Sequence, residues 1–497
     1  MNTIRVLLFL LVVATASASI ASKPYHIFDE KDPLNDMYDF INFMGVAEPY
    51  KMHVQEGSCF KKIIMYVNYD SEGIYIDLNL QEPRSHLCTE LLVFTTTERF
   101  HFSPQLFHGK HSIKIKGWKD VREQHLVTTE GMIYFGVSGN IIKSVKDFYD
   151  LYEVYKKDDW KTIRAQMELS FGEKFKQRKT GKVDLNPDDI PSGTLALFLK
   201  YNNIESYITF MTHSKAGHTA LLLRNPATGQ LFATENQPFP RNVFKTDYTT
   251  WVNQLSDGTY DDCTPDKCMM VLLPLSDEAQ EAFDDQVAWD AFLDLKGSPY
   301  LNAAELFAVV DNSDHNALPH PLSPDALTLL ATFGEDHFPA FNKAFIIDGA
   351  NHRLGTNFDN MHDVVEECIK RDMTVPQLLA IPEDDKWLYK DPNTGKMVPA
   401  LHCTSYVFDV YKRAGAFKPW FGDSFPLNTH EITPRDAYEM SMFKQKPLKG
   451  CVRDDTLPYC QVLGLDLVDF SDDFAHIDPY PHMDEHCYSY KHFPQGC

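Results

Sequence analysis

Ten cysteines in a chain that opens with an export leader constrain the fold of this protein more than any other feature. The leader has three parts: Arg5, the apolar run Val6 to Ala14, and the small residues Thr15 to Ser22 with Ala16 and Ala18 spaced for signal peptidase. Its apolar core is too short to cross a bilayer, and no later window reaches the roughly 18 apolar residues of a spanning helix. With 1–22 read as a signal peptide, the mature chain is expected outside the cell or in the secretory or endolysosomal lumen, without a membrane span. Cysteines pair in such a compartment. Pairing is expected for Cys59 with Cys88, for Cys263 with Cys268, and for two pairs among Cys451, Cys460, Cys487 and Cys497, whose connectivity the sequence leaves open. Cys368 falls in "MHDVVEECIKRDM", an amphipathic helical pattern, and reads as a buried thiol. Cys403 is then unexplained by pairing, with a bridge to Cys368 as the alternative.

The balance of 47 basic against 70 acidic residues, with no Lys/Arg cluster, argues against nucleic acid or an anionic membrane surface as a partner. No N-x-Ser/Thr sequon occurs in the chain. With 497 residues and 43% apolar composition the chain is long enough for two or three cores.

Residues 23–150 read as an accessory β domain. "KKIIMYVNY", "GIYIDLNL", "ELLVFTTT", "HSIKIKGW" and "GMIYFGVSG" are short β-branched and aromatic runs between polar turns, the pattern of an antiparallel sandwich. Helical signals are few there apart from "DPLNDMYDFINFM". Residues 151–189 read as a helical connector ending in a basic, exposed linker. Residues 190–443 mix strands ("GTLALFLKY", "GHTALLLRN") with helices ("DDQVAWDAFLDLKG", "CTSYVFDVYKRAG"), an α+β domain. Residues 444–497 read as a Cys-rich extension packed on it.

Chemistry concentrates in two stretches of the α+β region. In "ALHCTSYVFDVYKRAG", Tyr406, Val407, Val410 and Tyr411 recur at helical spacing, Lys412 and Arg413 occupy the last turn, and Gly415 stops the helix. Cys403 therefore begins a helix, where unpaired N–H groups and the macrodipole favour thiolate and can hold an oxyanion. A nucleophilic thiol needs a base and a group that orients it. "AGHTALLLRNPATGQLFATENQ" reads as a β-hairpin. If Asn225 to Thr228 form the turn, Arg224 faces Gly229 and His218 lies opposite Glu235 on one face. A one-residue slip would bring Asn236 there instead.

The order "GHTALLL", "FATEN", "HCTSYVFDVYKRAG" resembles the circularly permuted, papain-like NlpC-type thiol hydrolases, of which bacterial amidase-like proteins and lecithin-retinol acyltransferases are branches. In that family a G-H before an apolar strand comes first, an acidic or polar residue on the next strand second, and the cysteine last at a helix start. The resemblance covers roughly Ile190 to Phe417. Thr194 stands where the family commonly carries Asp, and "KGSPYLNAAELF" is similar to its G-x-P-Y segment. The resemblance implies a permuted papain-like domain acting on an amide or ester through a thioester, without a cofactor. Cys403 would be the nucleophile, His218 the base and Glu235 the orienting group. Tyr300 and His402 would line the substrate, and His213 and His402 would be spare bases.

Two other readings compete. "HMDEHC" sets His482 and His486 four apart beside Cys487, but lacks the H-E-x-x-H arrangement of a zinc site, so no metal is expected. A catalytically inactive binding protein using its N-terminal β domain for recognition is the alternative function.

Overall fold

In the computed structural model the described residues run from 41 to 479. They omit 58, 85–88, 97–99, 104–105, 130, 138–159, 172–173, 203–204, 206–207, 210–213, 239–240, 262, 301–330, 332–338, 380, 382–386, 391–394, 400, 424–427, 452–456, 472 and 478. Residues 1–22, Cys88, His213, His482, His486, Cys487 and Cys497 lie outside them.

The chain forms two compact units, one from Met1–Lys157, Asp314–Ile381 and Tyr488–Gly496, the other from Asp158–Ser313, Pro382–Cys487 and Cys497. This division differs from the boundaries expected at 150, 190 and 443. Residues 314–381 cluster with the N-terminal unit rather than continuing the α+β domain, and most of 444–497 is built into the second unit.

The first unit holds β1 (Ile41–Ala47), β2 (Met52–Gln55), β3 (Phe60–Asp70), β4 (Gly73–Pro83), β5 (Leu91–Thr95), β6 (Phe100–Phe102), β7 (Gly109–Lys116), α1 (Val121–Thr129) and β8 (Met132–Val137). They make two antiparallel sheets, in the orders β1-β8-β5-β6 and β2-β3-β4-β7. Period-two alternation buries Ile63, Met65 and Val67 of β3 and Ile74, Ile76, Leu78 and Leu80 of β4. Leu92, Phe94, Met132 and Tyr134 of the other sheet join the same core. The "DPLNDMYDFINFM" pattern does not give a helix where it is described. Its end belongs to β1, because β8 supplies a ladder partner (Met44 opposite Phe135, Val46 opposite Ile133) that outweighs weak local propensity. Cys59 is disulfide-bonded. Cys368 is a buried thiol on the amphipathic helix Met361–Lys370.

The second unit is built on one six-stranded antiparallel sheet. Its elements are α2 (Trp160–Phe171), β9 (Thr194–Lys200), β10 (His218–Arg224), β11 (Leu231–Gln237), β12 (Asn242–Asp247), α3 (Tyr248–Asp257), β13 (Cys268–Leu273), α4 (Asp285–Leu295), the short pair β14 (Leu388–Lys390) and β15 (Met397–Pro399), α5 (Cys403–Ala414) and β16 (Cys460–Leu463). Strand order is β12-β11-β10-β9-β13-β16. Both faces are covered, which is why β9 and β13 read as unbroken apolar runs. Leu195, Leu197, Leu221 and Leu223 face a core with Phe292 of α4 and Val407 and Tyr411 of α5. Ala196, Phe198, Leu222 and Ala233 face Tyr248, Trp251 and Leu255 of α3.

The C-terminal region is more than an attached extension, since β16 is the edge strand beside β13. The basic stretch before β9 is not an exposed linker either. Arg178 is buried and donates to the Gly464 and Gln461 carbonyls at 2.8 Å, and the Val183 amide bonds the Val462 carbonyl at 2.8 Å. An edge strand has unpaired backbone groups, and this segment satisfies them. Disulfides Cys263–Cys268 and Cys451–Cys460 are formed. Among the described residues no helix is long and apolar enough to cross a membrane.

Candidate active site

Helix α5 begins at Cys403. His402 is the N-cap, extended at φ −103°, and its amide donates to Ser405 Oγ at 2.7 Å. The helix ends where Gly415 takes φ 85°, a left-handed conformation that suits glycine. Lys412 and Arg413 lie in the last turn, where their charge complements the dipole. Cys403 is 2% exposed.

His218 is the first residue of β10. The preceding glycine has a steric reason: a Cβ at Gly217 would stand 2.9 Å from the Cβ of Glu205. Glu205 in turn pairs with the buried Lys200 at 3.1 Å, setting a cation near the site. The His218 ring lies 5.6 Å from that of Phe198, and Phe198 meets Trp251 edge-on.

The hairpin register differs from the expected one. Arg224 pairs with Leu231 and Leu221 with Thr234, so the loop runs from Asn225 to Gln230 rather than ending at Thr228. The Asn225 amide closes it on the Gln230 carbonyl at 2.9 Å. The whole shift is two residues. Because side chains alternate with period two, an even shift keeps Glu235 on the His218 face. His218 Nε2 lies 2.9 Å from Glu235 Oε2.

Glu235 is saturated with donors. Oε2 accepts from His218 and from Gln237 Nε2 at 2.9 Å, and Oε1 from Trp251 Nε1 at 3.0 Å and from the Tyr260 hydroxyl. Burial pushes its carboxyl up, but the bonds from His218 and Tyr260 and the Lys200 charge outweigh burial and hold it low. The ionised carboxylate only accepts, so His218 Nε2 carries hydrogen. Burial and Lys200 push His218 down, yet its bonds to Cys403 and Glu235 win and lift it to about 9. Burial likewise raises the Cys403 thiol, and hydrogen bonds with His218 and His402 carry it well below its ordinary value. Both shifts run toward charge, thiolate on Cys403 and imidazolium on His218.

Of the other sequence-derived residues, Tyr300 forms a parallel bridge with Leu401, two residues before Cys403. His402 is buried, with Nε2 3.3 Å from the His430 carbonyl oxygen. Neighbouring Asn236 does not replace Glu235; its Nδ2 donates to the Leu401 carbonyl at 2.9 Å and ties β11 to the approach of α5. Trp251, Tyr260, Gln237 and Lys200 escaped sequence reasoning. Only Gln237 stood close enough, two residues from Glu235 on the same strand face, to be found by alternation. Cys403 and Cys368 are both thiols, so the bridge between them is not formed. Among the described residues no group of three or more His, Cys, Asp or Glu side chains could hold a metal ion.

The Tyr260 hydroxyl is positioned by a short disulfide loop: the Cys263 amide bonds the Tyr260 carbonyl at 3.0 Å, and Cys263 is bridged to Cys268 at the start of β13. Replacing both cysteines with serine is expected to cost about 2 kcal/mol of stability, the chain-entropy value for so short a loop. It is also expected to slow alkylation of Cys403 at pH 6, as Glu235 loses a donor. Unchanged alkylation in the double variant would disconnect this loop from the site.

Compared with known proteins, the chain matches no family model, no curated protein and no solved structure.

Proposed function

We propose that this protein is a cysteine-dependent hydrolase or acyltransferase acting on an amide or ester, with Cys403 as nucleophile, His218 as proton carrier and Glu235 as the group that orients it. The observation that carries this reading is the buried His218–Glu235 pair, Nε2 2.9 Å from Oε2, together with a buried thiol, lowered by His218, at the start of a twelve-residue helix. A histidine satisfied in a core needs no thiol, and a packing cysteine needs no imidazole. The permuted papain-like order of the motifs, His218 before Glu235 before Cys403, supports the same chemistry. The Cys263–Cys268 and Cys451–Cys460 disulfides suit the oxidising compartment this reading assigns to the protein.

In the proposed cycle the Cys403 thiolate attacks the carbonyl carbon, and the charge passes to the carbonyl oxygen. The N–H groups of the first helical turn, which have no intrahelical acceptor, are suited to stabilise that oxyanion. The imidazolium of His218 gives its Nδ1 proton to the leaving nitrogen or oxygen, and the carbon–heteroatom bond breaks to leave a thioester. Water or another acceptor H–OR then adds to the thioester carbon, its proton goes to the neutral His218, and the C–S bond breaks to release the acyl product and restore the Cys403 thiolate.

Iodoacetamide treatment of the folded, unreduced protein across pH 4 to 9, read by peptide mass spectrometry, tests the assignment. Cys403 is expected to alkylate well below the ordinary thiol value of about 8.5. Recovery of Cys403 in a disulfide, or alkylation only above that value, would remove the nucleophile and favour the binding-protein alternative.

A further inference from the structure

A partly exposed arginine reaches the buried carboxylate of the site through one carboxamide. Arg241 Nη1 donates to Gln237 Oε1 at 2.8 Å. Gln237 Nε2 donates to Glu235 Oε2 at 2.9 Å, and the same oxygen accepts from His218 Nε2 at 2.9 Å. A guanidinium only donates, so the end of Gln237 that faces it is the oxygen. The amide hydrogens are thereby turned toward Glu235. A reversed amide would set oxygen against oxygen at Glu235 and donor against donor at Arg241.

Arg241 is itself held from two further sides. Its guanidinium spans both carboxylate oxygens of Asp261, at 3.0 and 3.2 Å. It also lies over the Tyr260 ring, with Cζ 4.2 Å from the ring centre. Tyr260 is another donor to Glu235, and Gln237 Nε2 lies 3.1 Å from its hydroxyl. One guanidinium therefore braces two of the groups that saturate the carboxylate. Asp261 takes φ 52°, a left-handed conformation that suits glycine better than a residue with a Cβ. Its grip on Arg241 gives a reason for an aspartate there.

We propose that Arg241 is a positioning residue for this site: it fixes the direction of the Gln237 amide and, through Glu235, the ring of His218. The inference rests on the nucleophile reading above and goes beyond it by extending the line of hydrogen bonds from the buried carboxylate out to a partly exposed ion pair. Without Arg241 the Gln237 amide is free to reverse and to present an acceptor to Glu235 Oε2. The carboxylate is then a poorer anion, it holds the imidazolium less well, and Cys403 gives up its proton only at a higher pH.

The test is iodoacetamide alkylation of Cys403 in the folded, unreduced full chain across pH 4 to 9, read by peptide mass spectrometry. Arg241→Met is expected to move the inflection up by about one pH unit and to slow alkylation at pH 6 about tenfold, the effect of one net hydrogen bond. Gln237→Met is expected to give a shift of similar size. The double variant should shift no further than either single one, because both act through the same amide. An unmoved inflection in Arg241→Met overturns the proposal, and so do shifts that add in the double variant. If Arg241→Met does not fold, Asp261→Gly takes its place, since glycine suits the backbone and only the anchor of Arg241 is lost. A smaller upward shift is expected there, and an unmoved inflection again overturns the proposal. Failure of the nucleophile reading looks different: wild-type Cys403 itself would be recovered in a disulfide or would alkylate only above about 8.5.

Discussion

His218→Gln is expected to slow alkylation of Cys403 at pH 6, and acyl turnover with it, by about 10²- to 10⁴-fold. Cys403 is a thiol that burial alone would keep protonated; hydrogen bonding and charge from His218 lead the effects that reverse this. Glutamine is close in volume and can still donate a hydrogen bond, but it carries no charge and holds no proton at Nδ1. The alkylation inflection should therefore move up toward or beyond the ordinary thiol value of about 8.5, and alkylation at pH 9 should recover in part. Similar alkylation rates for the two proteins at pH 6 would mean that the helix terminus and His402 suffice, and that His218 is a packing residue.

The same pair makes a signed statement about stability. The raised His218 contributes stability that is fully present below its unfolded value, about 6.5, and is lost as pH rises through about 9. The depressed Cys403 contributes stability that is present above its unfolded value, about 8.5, and is lost as pH falls through its folded one. Between about 6.5 and 8.5 the folded pair and the unfolded pair each hold one proton, on nitrogen in one and on sulfur in the other. The pair's contribution should be flat across that window and decline on both sides. His218→Gln should abolish the decline on the acid side, because Cys403 is then no longer depressed, which chemical denaturation at pH 5, 6, 7 and 8 would reveal.

What was legible in the sequence follows the range of the interaction. Cys403 at a helix start could be read because the determinants are local: the apolar stripe of Tyr406, Val407, Val410 and Tyr411, the basic last turn, and Gly415 in the left-handed region. The His218–Glu235 pairing survived a two-residue error in register because parity, not register, decides the face. The carboxylate's other partners were less accessible, since Trp251 and Tyr260 reach Glu235 across 16 and 25 residues of chain. Lys200 comes from a neighbouring strand whose order in the sheet no periodicity specifies. The place of β16 was hidden for the same reason: four residues, Cys460–Leu463, in a Cys-rich segment say nothing of which sheet edge they join.

Glu235→Ala is expected to produce the largest loss of stability of any single change at this site, about 3–5 kcal/mol, the usual cost of removing one member of a buried charged pair. The carboxylate is 1% exposed and its four acceptor positions meet four donors, from His218, Gln237, Trp251 and Tyr260. Alanine would take an acceptor from each of them, remove one of the anions around the Lys200 cation, and allow His218 to turn. Glu235→Gln separates the two consequences. It fills the same volume and keeps one acceptor oxygen, so stability should fall by less than in the alanine variant. Its amide, however, points hydrogens at groups that are themselves donors. The His218 tautomer is then no longer fixed, and alkylation of Cys403 at pH 6 should drop by about 10²-fold or more. Because Glu235 is depressed in the folded state, its contribution is present above its unfolded value of about 4.3 and is lost as pH falls through the folded one. The stability gap between wild type and Glu235→Gln should accordingly be widest near neutrality and narrow in acid. Denaturant titrations with an unchanged m-value would measure that gap. A cost below about 1 kcal/mol for Glu235→Ala would place the group in the range of a solvated surface contact and remove it from the proposed catalytic chain.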